Sequence, residues 1–466
     1  MTHRANFAVS SLFVLLSACS TSGGDGDGEG DASGPGPGSF GSESGAPTSS
    51  GSGLTEVATA TGEVSGGTST SGSSSEGGTT RTDTDDATTG PTLSEDEVLM
   101  RAAIAGEEEP GAALRTIADR GGLPVVTSTG SFLFGCLCGP GTWNLSGAHN
   151  GWADSPMGVT GPMVWSEADI GEPVGSMYKF HDTDQDQWIA DPLGRRYGFD
   201  EFGRFSLVRA EAAHLERWFA VAGEGLGPRD LQVWVPNGGE FTHALYVHDG
   251  QNLFDPDTSY GGWRLQDSVP PGVLLVGIDN TGLGRMEEYT HVEDVINQDP
   301  IGGQGEAYAD LVEHTIRPRM EAAYGPAEVV GTMGSSLGGL IAFVIADRFP
   351  DTYAMAISLS GTMGWGSIGL HNETMIERYA GAGRRFALYV DSGGEGSCLD
   401  ADDDGIDDDG DANDNYCENL QLRDVLEDVG YAVGEDLFYV YEPGGLHNEL
   451  HWAARVGVPM ATFAGL

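Results

Sequence analysis

The sequence predicts an α/β protein with a mostly parallel sheet, preceded by a small β-sandwich and a long polar linker. Three observations carry this. From residue 211 onward, apolar strand-like runs alternate with amphipathic helical stretches, the pattern of a sheet covered on both faces. Between 123 and 208 short apolar runs are spaced evenly between turn residues, as in a sandwich. Ala327 to Leu340 reads as a buried strand, a sharp glycine-rich turn and a helix start.

Taken in order, the chain starts with Arg4 and an apolar run from Phe7 to Leu16, followed by Ser17-Ala18-Cys19. This is the pattern of an export signal, too short to remain as a spanning helix. The Leu-Ser-Ala-Cys ending resembles a bacterial lipoprotein signal. That resemblance implies lipidation at Cys19, a membrane held through the lipid anchor, and a place at the outer membrane or cell surface. Residues 20–93 are mostly Gly, Ser, Thr and acidic side chains. Apart from Leu93 at the end, their large apolar residues are Phe40, Leu54, Val57 and Val64. Such a segment cannot bury enough surface to offset ordering entropy, and is expected to be a disordered linker. As a flexible coil it would reach about 45 Å.

The net charge is −49, from 22 basic and 71 acidic residues. Nucleic-acid binding is therefore not expected, and anionic substrates are disfavoured. An exported chain permits disulfides. Cys398 and Cys417 bracket an acidic loop and are expected to pair. Cys136 and Cys138 are either a local disulfide or two buried thiols.

Residues 94–210 form the second expected unit. Ser94-Glu95-Asp96-Glu97 reads as a capping box opening a helix. A second helical piece runs from Pro110 to Arg120. The sandwich strands follow. Within them Leu145 to Trp152, Tyr178-Lys179-Phe180, and Trp188 with Asp191-Pro192 resemble immunoglobulin-like early-set domains related to glycogen-binding modules. Trp152 and Trp188 would stack on sugar rings if exposed, or pack internally if structural.

Residues 211–466 carry the chemistry. Gly334-x-Ser336-x-Gly338 fits a nucleophile elbow, with the Leu337 N–H at a helix start ready to meet an oxyanion. In a chain with 73 glycines that pattern alone is weak. Four further motifs accompany it: Tyr246-Val-His-Asp-Gly-Gln-Asn-Leu-Phe-Asp255, Gly277-Ile-Asp-Asn280, Arg285-x-x-Glu288-Tyr289 and Gly445-Leu-His447-Asn448-Glu449. In this order they resemble the esterase family of α/β-hydrolases that holds enterochelin esterases and feruloyl or acetyl-xylan esterases.

The resemblance implies that Ser336 is the nucleophile and His447 the general base. It also implies an oxyanion hole from the N–H groups of Leu337 and Gln251, and no organic cofactor. The triad acid follows the strand ending near Asp391. Glu395 is the first candidate, although the family's usual position falls on Gly396, and Asp414 is the alternative. Asp249, Arg285 and Glu288 are expected to hold loops around the site.

Asp400, Asp402, Asp404, Ile406, Asp408 and Asp411 occupy positions 1, 3, 5, 7, 9 and 12 of a calcium-type loop, with Gly405 at position 6. A structural calcium ion is expected there, its ends pinned by Cys398–Cys417. The expected activity is hydrolysis of a carboxylic ester on a small molecule or polysaccharide. Feruloyl or acetyl esters are favoured over a siderophore lactone. The alternatives are an inactive surface binding protein of the same fold, and an acyltransferase.

Overall fold

Eight strands form the scaffold of the C-terminal half: β1 His214–Gly223, β2 Leu226–Val235, β3 His243–His248, β4 Val273–Ile278, β5 Val329–Ser335, β6 Met355–Leu359, β7 Ala387–Ser392 and β8 Leu437–Tyr441. The computed structural model describes residues 93–466, apart from 297, 369–372, 382–385, 402 and 408–413. Cys19 and all of the expected linker except Leu93 lie outside the described residues.

The spatial order is β1-β2-β4-β3-β5-β6-β7-β8. β4, β3, β5, β6, β7 and β8 run parallel. β2 and β1 pair antiparallel at one side, so the sheet is mixed. This is an α/β-hydrolase fold. Alternation along β3 shows why both faces need cover. Ala244 and Tyr246 join the core with the helix Leu337–Arg348, whereas Leu245 and Val247 join that of the terminal helices around Trp452, Val456 and Phe463. Fully burying each such large side chain is worth roughly 1.5–3 kcal/mol.

The chain order reverses around β3, which sits between β4 and β5. In open α/β sheets the crevice at such a switch point, outside the carboxyl ends of the strands, is where ligands bind. Val247 of β3 lies beside Met333 of β5, and Leu359 of β6 beside Ser335. The turns leaving these strands are therefore neighbours.

The N-terminal strands do form two layers, but not a unit apart. Val125–Val126, Phe132–Cys136, Gly158–Thr160 and Met163–Ala168 make a four-stranded sheet. It packs on Trp143–Gly147 and Met177–Asp182 through Phe132, Phe134, Leu145 and Phe180. That second layer continues into the C-terminal sheet, because Arg196–Asp200 pairs with β1 through Tyr197 and Leu215. The expected boundary at 210/211 is thus crossed by hydrogen bonds. The open edge of β1 presents unpaired backbone groups, and the neighbouring strand covers those at its start, around Leu215 and Glu216. Arg195 adds to the join by donating to the carbonyls of Arg217 and Ala118.

Local expectations mostly hold, with informative departures. Ser94 caps the helix Glu95–Ala105 by accepting from the Glu97 N–H. Glu97 does not complete the capping box, since its carboxylate accepts from Ser128 N and Arg101 Nε instead. The helix that ends at Tyr324 starts at Gly305 and passes through a π turn at Val312–Ile316, just before Pro318. That wider turn takes up the proline's lost N–H and ring clash without ending the helix.

Candidate active site

Ser336 lies between β5 and the helix Leu337–Arg348 with φ 57° and ψ −127°. An L-residue held there stores about 1–3 kcal/mol of strain, which the surroundings must impose. Its N–H donates to the Leu359 carbonyl, and its own carbonyl accepts from the N–H groups of Gly339, Leu340 and Thr362. The glycines follow from the tightness of the turn. A Cβ on Gly334 would sit 2.4 Å from the Gly338 backbone, and one on Gly339 would sit 2.3 Å from Ser358 Oγ. The Ser336 hydroxyl is buried and has no hydrogen-bond partner among the described residues. Leaving a buried hydroxyl unpaired costs about 1–3 kcal/mol.

His447 follows β8 in the loop before the helix Glu449–Arg455. Its Nδ1 lies 2.8 Å from Asp414 Oδ1, and its ring meets Trp452 edge-on at 5.0 Å. Asp414 is fully buried and takes three more donors on Oδ2. These are Ser360 Oγ at 2.7 Å, Gly393 N at 2.8 Å and Arg455 Nη2 at 2.7 Å. Burial works against its charge. The hydrogen bond and charge of His447, with the Arg455 guanidinium, outweigh it and hold the carboxyl at about 2. An ionised Asp414 can only accept, so the His447 nitrogen facing it, Nδ1, bears a proton, and in the neutral imidazole the lone pair is then on Nε2.

The carboxylate on His447 is therefore Asp414, not Glu395. Glu395 lies exposed in the turn after β7, where a side chain is solvated rather than aimed inward. The acid arrives from the far end of the acidic insert. Cys398 and Cys417 are joined, and Asp414 stands three residues before Cys417, so the bridge ties its segment back to the turn after β7.

The Ser336 and Asp414 segments meet on one loop. Asn415 Nδ2 donates to Ser360 O and Thr362 Oγ1, and Thr362 N donates to Ser336 O.

Gln251 lies in the turn Gly250–Asn252 that leaves β3. Asp249 precedes it with φ 62°, held by Arg285 Nε and Nη2, both at 2.8 Å, and by Asn280 Nδ2 at 2.7 Å. Burial opposes the Asp249 charge, and the Arg285 guanidinium keeps the carboxyl below its usual range. The turn packs on the elbow, since a Cβ on Gly338 would come 3.2 Å from Asp249 Oδ2. Leu337 is the first residue of its helix, where N–H groups lack an acceptor in the preceding turn. Asn252 Nδ2 donates to Glu449 Oε1 at 3.2 Å, which links this turn to the histidine loop. Glu288 pairs with Arg229 rather than with Arg285, so the two expected loop-holders act on different partners.

Three contributors escaped the sequence reading: Ser360, Asp391 and Arg455. Arg455 carried a signal, being a charged residue next to Val456 and one turn from Trp452 on an otherwise apolar face.

Asp402, Asp408 and Asp411 of the expected calcium loop lie outside the described residues. Asp400 accepts from the N–H groups of Asp404 and Gly405, and Asp404 accepts from Ile406 N. No group of three or more His, Cys, Asp or Glu suited to a metal occurs among the described residues. Cys136 and Cys138 are bonded to each other. Trp152 and Trp188 are 38 % and 41 % exposed with ring centroids 6.4 Å apart, and His181 stacks on Trp188 at 4.0 Å.

Residues 227–456 match the family model described as "Putative esterase". This region is an esterase-family α/β-hydrolase. Its family and fold are those of serine hydrolases. A curated relative, the uncharacterized protein YbbA of Bacillus subtilis (strain 168), is 28 % identical over 147 residues, 29 % of this chain. The match spans 58 % of that relative's length. Among solved structures, the enterobactin esterase FES of Shigella flexneri has TM-score 0.39 and 13 % identity, covering 72 % of this chain and 93 % of its own. An IroE-like serine hydrolase of Shewanella oneidensis has TM-score 0.42 and 20 % identity, covering 54 % and 80 %.

Proposed function

We propose that the protein is a serine esterase that cleaves a carboxylic ester through an acyl-enzyme. The observation that carries this reading is the 2.8 Å contact between His447 Nδ1 and Asp414 Oδ1, whose segment is tied through Asn415 and Thr362 to the strained elbow serine with an unpaired hydroxyl. In this reading His447 Nε2 takes the proton of Ser336 Oγ as the oxygen attacks the ester carbonyl. The negative charge on the carbonyl oxygen falls on the N–H groups of Leu337 and Gln251. Loss of one such donor typically costs about 3 kcal/mol of transition-state stabilisation. The C–O bond then breaks, and His447 returns the proton to the leaving alcohol. Water, deprotonated by the same nitrogen, frees the acid and restores Ser336.

Within that reaction, a feruloyl or acetyl ester on polysaccharide is favoured over a siderophore lactone. The net charge of −49 repels anionic substrates, and the exposed Trp152 and Trp188 offer faces to sugar rings. A screen of the full-length protein against feruloylated sugars, acetylated xylan and a siderophore lactone separates the classes. Hydrolysis of the lactone alone would reject the polysaccharide preference.

Two further elements belong to this reading and rest on the sequence patterns. The acidic loop is a structural calcium site, so added calcium raises the Tm of the full-length protein and a chelator lowers it. An unchanged Tm in both arms removes calcium from the account. Cys19 carries the membrane anchor. Cells fed labelled fatty acid should label the wild-type chain and not Cys19→Ser, and label on both would refute the anchor.

A further inference from the structure

Behind the Asp414–His447 pair lies a buried cluster with one cation and a surplus of carboxylates. Arg455 is the last residue of the helix Glu449–Arg455, and its side chain is 5 % exposed. Its guanidinium reaches four groups. Nη2 donates to Asp414 Oδ2 and to Ser360 Oγ, Nε to Asp391 Oδ1 at 3.1 Å, and Nη1 to Glu442 Oε2 at 3.1 Å. Asp391 and Asp414 are both fully buried, whereas Glu442 is partly solvated. One guanidinium thus serves two carboxylates that cannot reach water. Burial pushes the Asp391 carboxyl up, and Arg455 only partly counters it.

The serine in the middle is equally constrained. Ser360 has φ 50°, outside the range a serine adopts at no cost. Its oxygen accepts from Arg455 Nη2 and from Trp452 Nε1 at 3.1 Å, which leaves its single proton for Asp414 Oδ2. Its N–H faces Asp391 Oδ1 at 3.2 Å. Asp414 is therefore not merely placed. Its second oxygen takes three donors, of which Arg455 is one and Ser360, itself held by Arg455, is another.

Building on the esterase reading above, we propose that Arg455 and Asp391 are positioning residues that tune His447 through Asp414. The Arg455 charge lowers the pH at which His447 becomes a working base, and the Asp391 carboxylate, once ionised, raises it. Neither touches substrate. The physical basis is that Asp414 transmits the local field to the imidazole it holds. A neighbouring positive charge makes the imidazolium harder to form, and a negative one makes it easier. The other charged or titratable groups facing this cluster and the imidazole are Glu442, Tyr389, Glu449 and the Asp249–Arg285 pair. They are unchanged in the variants below.

The test is the pH profile of kcat/KM for p-nitrophenyl acetate, measured on the full-length wild type, Arg455→Met, Arg455→Lys and Asp391→Asn. Arg455→Met should move the acidic limb up by about one pH unit, within the range an adjacent charge produces. Arg455→Lys keeps the charge and should return the limb to near the wild-type position, even if kcat falls. Asp391→Asn should move it down by about half a unit. Shifts of opposite sign distinguish charge tuning from loosened packing, which lowers activity without reversing direction. Unmoved limbs, or shifts in one common direction, overturn the proposal. If Arg455→Met does not fold, the direction of the Asp391→Asn shift decides. Titration of the His447 ring by NMR gives the same ordering without catalysis, so the proposal and the esterase reading fail separately.

Discussion

Ser336→Ala in the full-length protein should abolish hydrolysis of p-nitrophenyl acetate, a loss of about 10⁴–10⁶ in kcat, and should remove labelling by a fluorophosphonate probe. The change should leave the fold intact. The side chain loses only a hydroxyl that has no partner among the described residues, and alanine relieves none of the contacts that hold the turn. The backbone at φ 57° and ψ −127° stays strained in either case. A variant that hydrolyses the ester as fast as the wild type would sink the esterase reading, since the elbow would then be a helix start and nothing more.

The second large effect separates two carboxylates nineteen residues apart. Asp414→Asn should lower kcat by about 10⁴, because an amide opposite His447 Nδ1 no longer fixes the productive tautomer. Glu395→Gln should stay within about two-fold of wild type, as expected for an exposed side chain. The reverse ranking would restore Glu395 as the acid. The same pair predicts an acid-stability difference. The folded carboxyl of Asp414 sits at about 2, below the usual carboxylate value in an unfolded chain. Its contribution is therefore present above the unfolded value and is lost as pH falls toward about 2. Wild-type stability should fall through that acid window, and Asp414→Asn should lack this component of the fall in a denaturation series against pH.

Much of the scaffold was legible in the chain. β4 and β6 are legible because a strand buried on both faces writes itself as a short, mostly apolar run between turn residues. The elbow was legible for a related reason. A strand and a helix that approach until Gly334 and Gly338 nearly touch admit no side chain, and glycine is visible in sequence. The hydrogen-bonded join between Arg196–Asp200 and β1 was not legible. Backbone pairing across an expected boundary depends on which strand edge is left open, and side-chain pattern carries no record of that.

The acid shows the same limit at the scale of one residue. Chain proximity favoured Glu395, four residues after Asp391, over Asp414, which lies beyond the acidic insert. Distance along the chain was the wrong measure, since the Cys398–Cys417 bridge folds the far end of the insert back beside the turn after β7. Ser360, Asp391 and Arg455 were harder still, coming from three separate elements with no shared motif.

By itself the sequence determined the sheet-and-helix alternation, the serine in its glycine turn and the histidine after the last strand. These are local matters, set by apolar periodicity and by the steric demands of one tight turn. Only the tertiary structure decided which carboxylate meets His447 and which cation stands behind it. Hydrogen bonds and charge pairs act across space, and residues 391, 414 and 455 become neighbours only once the insert and the last helices have packed on the sheet.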